Sequence, residues 1–175
     1  AALWRRMEDK FEASRSGTGL ESRRVLDGRG KEIDRSFFWE GGCGVFAVTL
    51  ARALRGSGLE ARVAVVSMSR GDAWSDEFDY EFTHVIVCVS DGYLDVKGWA
   101  ESPFAVMKRL GLAETEREIN VHTAREPDEF EAIFMGDDDD KPLYAVDDEG
   151  KDWALRLVQA QPRVYRLGES REEAR

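Results

Sequence analysis

Three residues of this chain have the types and the order that nucleophilic chemistry needs: Cys43, His84 and Asp95. Cys43 stands in Gly41-Gly42-Cys43-Gly44, at the start of an amphipathic helix predicted from Gly44 to about Arg55. The unpaired N–H groups of a helix's first turn, with the positive end of its dipole, favour an anion. A thiol placed there is a better nucleophile. Cysteine catalysis also needs an imidazole within hydrogen-bond reach and a group that fixes the imidazole's tautomer. His84 opens the apolar strand His84-Val85-Ile86-Val87-Cys88-Val89, and Asp95 lies on the returning strand Tyr93-Leu94-Asp95-Val96-Lys97.

Each residue also has a plainer reading. A cysteine ahead of a helix is commonly a small buried hydrophobe, and Cys88, inside an apolar strand, is read as core. His84 alone fits a structural histidine, and Asp95 alone fits a turn brace. Asn120 and His122, two residues apart, form a rival His–Asn pair on one strand face. The hairpin raises a further question. A tight turn at Asp91-Gly92 would set Cys88 opposite Asp95, four residues from His84, roughly 13 Å away. A His84–Asp95 hydrogen bond therefore predicts a wider loop centred near Val89-Ser90, or a bulge.

The elements that must position these residues are legible as patterns. Leu3, Trp4, Met7 and Phe11 repeat at helical spacing over residues 1–16, and Ser16-Gly17-Thr18-Gly19 ends that helix. Leu20 to Ser36 is charged and turn-rich. After Cys43, the residues Phe46, Ala47, Leu50, Ala51 and Leu54 form one buried stripe that stops at Gly56-Ser57-Gly58. Glu60 to Met68 reads as a strand, and Ser69 to Thr83 as a long aromatic and acidic loop. Ser102-Pro103 starts a helix that Gly111 closes. A short strand over Ile119–Thr123 and a helix from about Pro127 to Met135 follow. Gly136 to Asp140 is a solvated turn, since its four aspartates repel one another. Leu143–Val146 and Arg163–Leu167 read as strands around a helix from about Glu149 to Ala160. The expected class is α+β with an antiparallel sheet.

With 175 residues the chain can bury a sizeable core, and 42% hydrophobic with 34% charged residues marks it as globular. No apolar run approaches a membrane span, and the first residues lack a signal-peptide core. The net charge of −10 argues against nucleic acid and anionic membranes as partners. Two cysteines make no disulfide framework and suit a reducing, cytoplasmic setting. Neither a zinc pattern nor an EF-hand loop is present, so no metal and no cofactor is expected.

The stretches Gly42-Cys43-Gly44-Val45-Phe46-Ala47, Gly58-Leu59-Glu60-Ala61-Arg62-Val63, His84-Val85-Ile86-Val87 and Asp91 to Gly98 resemble the papain-like cysteine hydrolase superfamily. Its transglutaminase-like and compact bacterial or phage-encoded members are the nearest in pattern, over roughly residues 37–110. The resemblance implies a papain-like core, its nucleophile helix packed on an antiparallel sheet. It also implies a domain over 37–167, a lead-in over 1–36 and a charged tail over 168–175. It implies Cys43 as nucleophile, His84 as general base and acid, and Asp95 as orienter, acting on peptide, isopeptide or glutamine side-chain amides through an acyl-enzyme. The substrate would be a polypeptide, contacted by Trp39, Gly42, Trp74, Phe78 and Tyr80. The Trp74–Phe82 segment reads either as a substrate-gripping lid or as aromatic residues that anchor the loop to the core. One departure stands out. Papain-type peptidases carry a glutamine shortly before the cysteine, where this chain has Phe37-Phe38-Trp39-Glu40. The oxyanion would then rely on the backbone N–H groups of Cys43 and Gly44, helped by the Trp39 indole. That departure supports a second reading, a binding module that keeps the fold without the catalysis. A third is an acidic interaction domain of unrelated fold.

Overall fold

The computed structural model describes residue 30 and residues 42–69, 80–116, 119–135 and 148–168. Among these it contains four helices and one five-stranded sheet, a mixed α+β arrangement. Helix α1 spans Cys43–Gly56 and is followed by strand β1, Arg62–Ser69. Strand β2 is Tyr80–Val89, β3 Gly92–Asp95 and β4 Gly98–Ala100. Helix α2 is Pro103–Arg109, strand β5 Ile119–Val121, helix α3 Pro127–Phe134 and helix α4 Asp148–Ala160. The strands lie in the order β4-β3-β2-β1-β5, and every pair is antiparallel.

Both faces of the sheet are covered, which explains why its central strands read as apolar runs rather than alternating ones. Val63, Val65, Val85, Val87, Leu94 and Val96 join α1, α3 and α4 in one core. Ala64, Val66, Ile86 and Ala100 join Val106 and Met107 of α2, and Leu110 just after it, in a second. Helix α1 is buried nearly all round over its first two turns, from Cys43 to Val48. A helix apolar on every side belongs in the middle of a domain. It stops where the Ser57 and Gly58 amides bond back to Ala53, Leu54 and Arg55, with Gly58 at φ +86°. That left-handed backbone favours glycine.

Several sequence expectations change here. The strand expected over Arg163–Leu167 is instead a run of turns within 162–168, in which Leu167 N–H bonds Pro162 O at 2.8 Å. Its β-like pattern is overridden because Tyr165 buries itself against Phe46 of α1, ring centroids 5.3 Å apart. The strand expected over Tyr93–Lys97 ends at Asp95, turns, and continues as β4. Strand β2 begins at Tyr80, inside the expected loop. The hairpin is neither wide nor placed at Asp91-Gly92: Val89 faces Gly92, so Ser90-Asp91 is the two-residue turn. The expected N-terminal helix, the lead-in, the Asp137–Asp140 turn and the Leu143–Val146 strand lie outside the described residues, as do Trp39, Trp74 and Phe78. No helix among the described residues is long and apolar enough to cross a membrane.

Candidate active site

Cys43 is the first residue of α1. Its N-cap, Gly42, offers no side chain, so no side-chain cap occupies the first-turn N–H groups, and no acidic residue lies there. Those amides remain directed at whatever sits before the helix. Cys43 is 4% exposed.

His84 and Asp95 are brought together by a register that moves the hairpin one residue from the turn signal. With Val87 facing Leu94, the ladder's continuation sets Asp95 opposite Ile86, two residues from His84. Residues two apart on a strand share a face and stand roughly 7 Å apart, within reach of two extended side chains. The imidazole Nε2 lies 3.0 Å from Asp95 Oδ2. The Cys43 side chain also acts on the His84 ring and favours its charged form. With Nε2 on the carboxylate, Nδ1 is the nitrogen left for the sulfur. Carboxylate and imidazole are thus hydrogen-bonded, and Cys43 acts on the same ring to complete one line of interaction, with His84 at 2% and Asp95 at 1% exposure.

The electrostatics follow from this line. Burial disfavours the imidazolium, yet the hydrogen bond and charge of Asp95, together with the neighbouring Cys43 side chain, outweigh it, and His84 is raised to about 9. Burial likewise favours a protonated Asp95. The hydrogen bond and charge of His84, then the charge of Arg109 and the Lys97 amide, overcome it and hold the carboxyl below its ordinary range. Asp95 also does the turn-bracing that its type predicted: Lys97 N–H donates to Oδ1 at 2.8 Å. The two roles coexist because each uses a different carboxylate oxygen.

Two features escaped the sequence. Arg109, in the last turn of α2, donates to Asp95 Oδ1. On a predicted helix it looks like one more solvated cation. Ser67, buried on β1, has its Oγ 2.9 Å from His122 Nε2. His122 therefore bonds a serine across the β1–β5 pair, where Asn120 faces Ser67. Cys88 is partly buried, and burial pushes its thiol up to about 11, which suits the inert role expected of it. Gly42 is buried beside Cys43; Tyr80 starts β2. The chain matches no protein-family model, no curated protein and no solved structure.

Proposed function

We propose that this protein is a cysteine-dependent hydrolase or acyl-transfer enzyme of papain-like or transglutaminase-like type, acting on amide bonds of polypeptides. The observation that carries the reading is the buried His84–Asp95 hydrogen bond of 3.0 Å, made by an imidazole on which the helix-start Cys43 also acts. In this reaction the Cys43 sulfur attacks the amide carbonyl carbon, and the oxyanion faces the amides of Cys43 and Gly44. His84 passes its proton to the departing amine as the C–N bond breaks, leaving a thioester. Water or a second amine then attacks the thioester carbonyl and gives its proton to His84 as the C–S bond breaks, which releases the acyl product and returns Cys43 as a thiolate beside the protonated His84. Peptide, isopeptide and glutamine side-chain amides share this course and differ in what resolves the acyl-enzyme. Two free thiols support a reducing, cytoplasmic setting.

Alkylation by iodoacetamide near pH 6 tests the proposal. Cys43 should react at least tenfold faster than a small free thiol, and His84→Ala should remove the advantage. A wild-type rate no greater than the free thiol's would overturn the enzyme and leave the catalytically silent binding module.

A further inference from the structure

Asp95 receives its positive charge from outside the hairpin that carries it. Arg109 closes α2, a helix started by Ser102, whose hydroxyl accepts the Ala105 amide at 3.0 Å. Its Nη2 donates to Asp95 Oδ1 and, at 2.7 Å, to Gly98 O; its Nη1 donates to Trp99 O at 2.9 Å. The guanidinium is thereby fixed to the backbone of β4 while facing the carboxylate at the end of β3. Its buried Nε has no partner among the described residues.

We infer that Arg109 is a positioning residue of the Cys43–His84–Asp95 site: its guanidinium, clamped to β4, keeps the Asp95 carboxylate ionised and its Oδ2 aimed at His84. The inference rests on the hydrolase reading above. A carboxylate at 1% exposure has no solvent to stabilise its charge, and burial alone favours the neutral acid. A neutral Asp95 would cease to favour the imidazolium that faces the sulfur. The Lys97 amide holds the same oxygen as Arg109 but supplies no net charge. The charged groups acting on Asp95 are His84 from β2 and Arg109 from α2; those acting on His84 are Asp95 and Cys43. Across the sheet, His84 faces the uncharged Val66 of β1. Only an arginine fits all three acceptors. Its planar fork reaches two carbonyls and a carboxylate at set angles, whereas a lysine is a point charge on a flexible stem.

The test uses the full chain with Arg109→Gln and Arg109→Lys. Iodoacetamide rate constants across pH, the NMR titration of the His84 ring protons, and thermal melting are measured for each. In Arg109→Gln the acid limb of the alkylation profile should rise by about one pH unit, so rates on that limb fall about tenfold. Arg109→Lys should restore the limb but only part of the plateau rate. A Gln variant that melts earlier yet keeps the wild-type limb and His84 titration would overturn the inference, leaving a brace for the β3–β4 turn. Should the Gln variant not fold, the Lys variant decides. A wild-type plateau overturns the inference, and a lowered plateau with a preserved limb supports it. If wild-type Cys43 shows no fast alkylation, the hydrolase reading fails by itself. The low-pH step of the His84 titration still reads the Arg109–Asp95 link, moving upward in Arg109→Gln if the link exists and staying fixed if it does not.

Discussion

At His84 three influences compete for one proton. Burial pushes toward the neutral ring, while the sulfur on one side and the carboxylate on the other favour the cation. These neighbours outweigh burial, and His84 is raised to about 9. The sequence has only two histidines, so their carbon-bound ring protons can be followed separately by NMR. The His84 midpoint should lie near 9 in the wild type. It should fall in both Cys43→Ala and Asp95→Asn, because each removes a neighbour that stabilises the charge. A midpoint near 6.5 in wild type, unmoved by either variant, would separate the three residues electrostatically. The stability consequence has a definite sign. A histidine raised on folding stabilises the native state fully below its unfolded value near 6.5 and loses that contribution as pH rises through about 9. Asp95, lowered on folding, acts in the opposite direction: its contribution is present above the ordinary carboxylate range and is lost on acidification through its depressed value.

Among the elements, the β2–β3 hairpin sets the register that brings His84 and Asp95 together. Its turn is also where sequence and structure differ most. Cys43, His84 and Asp95 were legible because glycines, an apolar strand start and a turn signal mark their positions. The register was not, because Asp91-Gly92 is the stronger turn signal by composition and the chain turns one residue earlier. The reason is visible at Gly92. A Cβ there would lie 2.7 Å from Ala100 O and 2.5 Å from the Trp99 indole nitrogen, so Gly92 serves close packing of β3 on β4 rather than the turn itself. Such a cross-strand contact leaves no local trace. Arg109 was illegible for a similar reason, since its partners come from β3 and β4, distant from any pattern within its own helix. Gly92→Ala should therefore destabilise the fold by about 1–3 kcal/mol, the range for overpacking against backbone that cannot yield. Urea unfolding measures it, and a loss under about 0.5 kcal/mol would mean the hairpin adjusts freely.

Across the whole molecule, Cys43 and the His84–Asp95 pair arrive from different layers, and something must hold those layers in step. Cys43 belongs to α1 and Asp95 to β3; residues 162–168, turning after α4, connect the two. Tyr165 is fully buried, packs its ring edge-on to Phe46 of α1, and donates its hydroxyl to Val96 O at 2.7 Å. Val96 directly follows Asp95, so one side chain touches both the helix that carries Cys43 and the turn after Asp95. Arg109 restrains the far end of that turn through Gly98 O and Trp99 O. Tyr165→Phe keeps the ring contact and removes only the hydroxyl. It should cost about 1–2 kcal/mol in urea unfolding, because the buried Val96 carbonyl loses its donor. If the two side chains restrain one turn, Tyr165→Phe and Arg109→Gln should not add. Once either restraint is gone the turn is already loosened, and the second loss costs less than it does alone. A double-mutant cycle should then show a coupling of at least about 0.5 kcal/mol. Additivity within about 0.3 kcal/mol would make Tyr165 a core residue with no hold on the Asp95 turn.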